Sequence, residues 1–296
     1  MRFSIITPSF RQLHQLELCI ASVADQVVAE RADRATSLSL EHIICDAGSP
    51  GIEDFRDRML NRFPVTDNYR LEFVVGPDSG MYDAINKGLK GSTGDLCAYL
   101  NCDEQYFDGA LDFVDRWFAQ NTAAEVAFGN IVVATEEGSY VCDRTAVLPE
   151  KWHTMTSGNL SIFSAGTFFR RSSVVDRGLF FDPSWKAVGD SVWVLSLLDA
   201  RLKMGLMHRP VACFIYSSES LSMQSRAKEE RKRLHDSAPL VARVLSPVTT
   251  FLSRWRRLAA GGYTLAPHSY RIYTRDSLDQ RREFDVTSPT HRWPGA

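Results

Sequence analysis

The 296-residue chain is 44% hydrophobic and 24% charged, with a formal net charge of −2, the balance of a globular protein able to bury one sizeable core. That total excludes the strongly basic footprint of a general nucleic-acid binder, and no apolar run approaches the roughly 18 residues of a membrane span. Six cysteines without a CxxC pair fit reduced, buried thiols, and the apolar run after Met1-Arg2 is too short for a signal peptide, so a cytoplasmic protein is the expectation.

In chain order, Phe3-Ser4-Ile5-Ile6-Thr7 is a buried-strand pattern ended by Pro8. Leu13, Leu16, Cys19-Ile20 and Val23 then recur at helical spacing, which opens an α/β unit. Residues 27–38 are charged and alanine-rich, a loop or a helix extension. Residues 40–45 form a second strand pattern running into Asp46-Ala47-Gly48-Ser49, and residues 71–75 a third. The segment GPDSGMYDAINKGLKGSTGDLCAYLNCDE (residues 76–104) holds a polar turn at Asp78-Ser79-Gly80 and a helix with Met81, Ala84, Ile85 and Leu89 on one stripe. A short strand follows and stops at Asn101-Cys102-Asp103-Glu104. Four strands therefore end in polar residues, and a parallel sheet places those ends along one edge, where open α/β sheets bind ligands.

Neither GxGxxG nor GxxxxGK[ST] occurs, which excludes the usual dinucleotide and P-loop devices. A nucleotide in this cleft needs another means of holding its diphosphate, such as a divalent cation on carboxylates. Beyond Asp108 a helix carrying Leu111, Val114 and Trp117-Phe118 leads to a strand at 126–128 and a hairpin around Glu136-Glu137-Gly138. An apolar helix follows Gly189-Asp190, and residues 209–216 read as a late strand. The charge run at 226–235 reads as a solvated helix face. Ser246 and Pro247 open a helix that Gly261-Gly262 stops. Its Val248, Phe251-Leu252, Trp255 and Leu258 share one face, with arginines nearby, a pattern open to a membrane surface, the core or a second subunit. The last thirty residues look like a partly ordered extension.

The 76–104 segment resembles the family 2 glycosyltransferases, inverting enzymes of GT-A fold, and in particular the branch that assembles bacterial polysaccharides. The shared pattern is D-x-G-[IM]-Y-D-A-x-N-K-G, T-G-[DE] and L-N-x-D-[DE]. It is carried here by Asp78, Gly80 to Ala84, Asn86 to Gly88, Thr93 to Asp95, Leu100, Asn101, Asp103 and Glu104. The likeness extends to Ile6-Thr7-Pro8-Ser9-Phe10, Ile44 to Ser49, Phe128-Gly129-Asn130, Thr167 to Arg171 and Val188-Gly189-Asp190, about 1–222 in all.

The resemblance implies a three-layer α/β sandwich with a central, mostly parallel sheet and a C-terminal helical extension. It implies a transferase unit at 1–225, with a nucleotide-sugar half at 1–107 and an acceptor half at 108–225, and a helical and irregular extension at 226–296. Thr7, Pro8, Ser9, Asp46, Asp78, Gly80, Asn86, Lys87, Asn101 and Cys102 are then the nucleotide-sugar contacts. Asp103 is the ligand of a Mg²⁺ or Mn²⁺, and Asp190 is the base that deprotonates the acceptor hydroxyl. Plainer readings stand beside these. Asp46 is also placed for an Asx turn, Asp78 and Asp190 for helix caps, Asp103 and Glu104 for capping the helix near Asp108, and Lys87 for solvent. Ser164-Ala165-Gly166-Thr167 departs from the branch's His-Gln-Ala-Thr, leaving Arg170 and Arg171 as the nearest cations.

The family's usual context adds a glycan or lipid-linked acceptor at the inner face of the cell membrane, with peripheral contact through 247–260 or a homodimer, and no nucleic acid. Competing classes are a sugar-phosphate nucleotidyltransferase, whose N-terminal glycine-rich loop is missing here, and a non-catalytic nucleotide-sugar-binding protein.

Overall fold

The structure, a computed structural model, describes residues 1–27, 38–158, 160–216 and 225–293; most of the 27–38 stretch lies outside it. The first half runs β1 (Arg2–Ser9), α1 (Leu13–Ala24), β2 (Ser39–Asp46), α2 (Ile52–Arg62), β3 (Tyr69–Val75), α3 (Met81–Gly91), β4 (Leu96–Tyr99), β5 (Gln105–Tyr106) and α4 (Ala110–Gln120). The second runs β6 (Val126–Ala134), β7 (Tyr140–Arg144), α5 (Lys151–Ser157), β8 (Thr167–Arg170), α6 (Arg171–Val174), α7 (Gly189–Asp199) and β9 (Met204–Ile215). The chain closes with α8 (Ser225–Ser237), α9 (Leu240–Val244), α10 (Ser246–Ala259), β10 (His268–Thr274) and β11 (Ser277–Val286).

One sheet organises the molecule, in the order β3-β2-β1-β4-β8-β6-β9-β5, with β7 on β6. The block β3-β2-β1-β4 is parallel throughout, so its four carboxyl ends share an edge as expected. Side chains alternate across it. Phe3, Ile5, Leu40, Ile44, Leu96 and Ala98 face one core with residues of α1, α2 and α4. Ile6, Ile43, Cys45, Cys97 and Tyr99 face another with α3 and α7. A strand buried on both faces reads as a continuous apolar run rather than an alternating one, and helices on both faces make the three layers.

Thr93-Gly94 of the T-G-[DE] element is a clasp. The Thr93 hydroxyl donates to Glu41 at 2.7 Å and the Gly94 N–H to the Ser4 hydroxyl at 2.8 Å, fastening the start of β4 to β1 and β2. Helix α2 escaped the sequence reading because it buries only Ile52, Phe55 and Met59 among charged neighbours.

The C-terminal residues depart from a partly ordered run. Strands β10 and β11 pair antiparallel and dock on the N-terminal half. Gln105 exchanges two hydrogen bonds with the Tyr273 backbone, at 3.0 and 2.9 Å. Arg281, with its side chain 3% exposed, pairs with Asp25 at 2.6 Å and Asp108 at 2.9 Å. Charged residues on the outer face of β11 concealed this strand from the sequence. Among the described residues no helix is long and apolar enough to cross a membrane.

Candidate functional site

The strand ends of the parallel block are locked side by side. The Ala47 N–H donates to the Ser9 carbonyl at 3.1 Å, Gly76 N–H to that of Asp46 at 3.0 Å, and Leu100 N–H to that of Ile6 at 2.9 Å. Asp46 ends β2 with its side chain buried. One oxygen accepts from the N–H groups of Gly48 and Ser49 at 2.9 and 2.6 Å, the other from the Ser49 hydroxyl at 2.8 Å. That hydroxyl in turn accepts from the Arg11 N–H at 2.6 Å, and Arg11 is held at φ 59, a conformation that costs a non-glycine residue about 1–2 kcal/mol. The Asx-turn reading of Asp46 is therefore real, and the turn fixes its carboxylate at the cleft. The buried Ser9 hydroxyl has no protein partner, an orphan that a polar ligand would satisfy.

At the start of α3 the turn is built by its own acids. Asp78 accepts from the Gly80 N–H at 2.8 Å and Asp83 from the Ser79 N–H at 2.9 Å. Gly80 has φ +123, open to glycine and rarely to others. Lys87 donates to the Pro77 carbonyl at 2.7 Å, so this lysine folds back over the turn. Lys186, which the sequence did not single out, reaches it from the other side and donates to the Ser79 carbonyl. Two ammonium groups thus flank the Asp78–Gly80 turn.

Beyond β4, the Asn101 N–H donates to Glu104 at 2.9 Å, and Glu104 also accepts from the Ser164 hydroxyl at 2.7 Å. Ser164 stands where the family pattern has histidine, and here it ties the β4 end to the 3-10 turn Ser164–Gly166. The buried Asn101 Oδ1 has no protein partner. Asp103 lines a cavity of about 130 Å³ with His14, Glu136, Arg275 and Arg282 among others. Burial raises both Asp103 and Glu104, and each is raised further by a neighbouring carboxylate, Asp103 by Glu136 and Glu104 by Asp103. A cation bound beside such a carboxylate would favour its charged form. Oxygen donors of this kind suit a hard cation, although among the described residues no three His, Cys, Asp or Glu side chains form a metal-binding group.

Asp190 lies in the first turn of α7 and accepts from the Ser191 N–H at 2.8 Å. Burial pushes it up to about 6, against hydrogen bonds from that N–H and from the Tyr82 hydroxyl. The Tyr82 ring sits under Gly189, where an added Cβ would come within 2.5 Å of it, so the α3 pattern residue and the α7 terminus meet only because Gly189 has no side chain. Glu230 of α8 fixes the approach to Asp190. It accepts from the N–H groups of Lys186, Ala187 and Val188 at 2.8, 2.9 and 3.1 Å. The 226–235 charge run is thus not only a solvated face, because one of its acids is buried on the loop that leads into Asp190.

Several expected contacts go elsewhere. The Thr7 hydroxyl lies 2.8 Å from Nε2 of buried His42, which burial depresses to about 3, so Thr7 faces the core and leaves only its backbone for the cleft. Cys102 is buried, its thiol donating to Gln12 at 3.0 Å. Asn86 spends its amide on the Phe181 backbone, donating at 2.8 Å and accepting at 3.0 Å, which clamps α3 to the loop before α7. Arg170 donates to the Ala124 carbonyl and Arg171 pairs with Asp176, so neither faces the cleft. Pro8 stays in β1 beside Cys45. Tyr82, Lys186 and Glu230 were the residues missed; only Tyr82, inside the 76–104 pattern, left a local trace.

Residues 4–178, more than half of the chain, match the model of Glycosyl transferase family 2. A PGL/p-HBAD biosynthesis glycosyltransferase of Mycobacterium bovis is 24% identical over 147 residues, 48% of this chain and 53% of that protein, and its Mycobacterium tuberculosis counterpart gives the same figures. The chain spans about half the length of these curated relatives. Among solved structures, S. aureus TarS with UDP-GlcNAc superposes at a TM-score of 0.57 and 13% identity, over 79% of this chain and 64% of that one. The mannosyltransferase PcManGT from Pyrobaculum calidifontis, with GDP-Man and Mn²⁺, gives 0.54 and 13%, over 88% and 73%. At that identity the likeness concerns the fold, which is the GT-A arrangement. The strand-end site and a match over this much of the sequence lead to one assignment: the chain belongs to glycosyl transferase family 2.

Proposed function

We propose that the chain is an inverting glycosyltransferase that moves a sugar from a nucleotide diphosphate to a hydroxyl of a glycan or lipid-linked acceptor, in surface polysaccharide or lipid-linked oligosaccharide synthesis. The observation that carries this reading is the meeting of two halves at α3. Asp46, Asp78 and Asp103 follow strands of one parallel block, and the start of α7 with the loop before it is fastened to α3 and its leading turn through Tyr82, Asn86 and Lys186. Residues 1–107 serve as the donor half, 108–225 as the acceptor half and 226–296 as an extension.

In this reading Asp46 accepts a hydrogen bond from the base, and Ser9 with the backbone of Thr7 and Pro8 lines the nucleoside. Asp78, Gly80 and the ammonium groups of Lys87 and Lys186 lie along the ribose and diphosphate. Asp103, with Asn101 beside it, would hold a Mg²⁺ or Mn²⁺, whose charge stabilises the departing diphosphate. Asp190 takes the proton of the acceptor hydroxyl as its oxygen attacks the anomeric carbon. The new carbon–oxygen bond forms on the face opposite the breaking sugar–phosphate bond, and the nucleoside diphosphate leaves. A carboxylate already raised by burial is a stronger base than one in water.

A thermal-shift screen of UDP, GDP, CDP and dTDP sugars with Mn²⁺ tests this, because a bound ligand raises apparent stability by mass action. Stabilisation by one donor, with release of its nucleoside diphosphate, is expected. Release of pyrophosphate from a sugar phosphate and a nucleoside triphosphate would replace the reading with nucleotidyl transfer, and silence toward every donor would leave a scaffold.

A further inference from the structure

Helix α10 is mounted with its polar side inward. Ser246, Thr249, Thr250, Ser253 and Arg257 are its half-buried positions, and it has no buried residue. Its apolar stripe points away from the protein, with Phe251 64% and Trp255 59% exposed and Val248, Leu252 and Leu258 about equally so. Leu240 and Val244 of α9 extend the same exposed surface. A helix that folds onto a core turns the opposite way, since burying such side chains is the main gain of packing. An apolar surface of this extent is kept for a partner.

Charge identifies that partner. Residues 239–264 contain Arg243, Arg254, Arg256 and Arg257 and no acid, in a chain whose formal net charge is −2. At helical periodicity Arg254 and Arg256 fall on either side of the apolar stripe. A second copy docked across a twofold axis would set the same arginine rows against each other. An anionic bilayer accepts them, with the stripe in the acyl boundary and the guanidinium groups at the phosphates. We infer that α9 and α10 form the surface by which this protein sits on an anionic membrane.

The placement also bears on the acceptor. Helix α10 packs on α5, and α5 packs on α7, whose first turn holds Asp190. A cavity of about 330 Å³ lies between α5 and the flank of the stripe, lined by Leu148, Trp152, Val248, Leu252 and Arg256 among others. A lipid-linked acceptor would then be presented on the side of the molecule that α5 and α10 share. That last step rests on the transferase reading; the docking itself does not.

Vesicle co-sedimentation of the full chain separates the two, since it needs no donor or acceptor. Phosphatidylcholine vesicles are compared with vesicles that also contain phosphatidylglycerol. Sedimentation with the anionic vesicles is expected, weakened by salt, about tenfold weaker for Arg254→Gln/Arg256→Gln, and lost for Phe251→Ser/Trp255→Ser. The substituted side chains are exposed, so the melting temperature of these variants stays at the wild-type value. Failure to sediment with either vesicle, or sedimentation that survives Phe251→Ser/Trp255→Ser, overturns the inference. A stable dimer in solution that the same pair dissociates hands the surface to a second copy instead.

Discussion

The two ends of the cleft that we propose for donor and acceptor are built at different ranges along the chain. At the donor end the acids bond mainly to near neighbours: Asp46 to residues two and three ahead, Asp78 two ahead and Glu104 three behind, with one longer tie from Ser164 to Glu104. At the acceptor end Asp190 depends on residues far away. Its approach loop is held by Glu230 from 42 to 44 positions on, and by Asn86 from 95 positions back. Local turns of the first kind survive most changes elsewhere in the protein. A base placed by packing is as sound as the most remote contact that places it.

The comparison is sharpened most by Asp190→Asn. Transfer should fall by about 10²–10⁴-fold, while the thermal shift with nucleotide and Mn²⁺ stays as in wild type; loss of both would merge the two ends. Because Asp190 is raised to about 6 and acts in its ionised form, kcat/KM should fall as pH drops through about 6, a limb absent from the residual activity of Asp190→Asn. Asp103→Ala should give the opposite split. The Mn²⁺-dependent part of the nucleotide thermal shift disappears, and transfer falls by about 10²–10³-fold, the scale of losing one electrostatic stabiliser. The same shift should weaken at acid pH, since a raised carboxylate must lose its proton to hold a cation.

Glu230→Ala is expected to cost about tenfold in kcat at unchanged donor KM, because three backbone N–H groups lose their acceptor and the Asp190 approach loosens. Glu230→Gln, which keeps one acceptor oxygen, should recover part of it, and a matching drift of the acid limb would mark a positioning role. Asn86→Ala should act on stability, by about 1–3 kcal/mol in chemical denaturation, since it strands two buried polar groups of Phe181. An Asn86 variant that lost donor binding without losing stability would return that residue to the nucleotide.

The same difference in range explains what could be read from the sequence. Four polar strand ends, the α3 stripe and the Asp78–Gly80 turn are all written within a few residues, and they were legible. Thr7 and Asn86 belong to the family likeness and Cys102 fills its open position between Asn101 and Asp103, yet packing turned Thr7 and Cys102 to the core and spent Asn86 on Phe181. A motif fixes which residues recur, and only tertiary contact decides which way each side chain points. Glu230 was hidden for the complementary reason, since nothing in a run of charges distinguishes the one acid that a distant loop will cover. The α10 stripe was visible, but its outward mounting depends on how α5 receives the helix.

Arg281 extends this lesson to the order in which the molecule is made. Its guanidinium closes on Asp25 and on the Tyr106 carbonyl, 256 and 175 positions earlier. During synthesis α1 and β5 leave the ribosome long before the strand that completes them, and late, long-range closures of this kind slow folding. Until β11 arrives, Asp25 and Asp108 are two acids without their shared cation. The nascent chain therefore passes through a stage in which the parallel strands can assemble while the wall behind them stays open, and a ribosome stalled before residue 281 would present that unfinished form to proteases and chaperones.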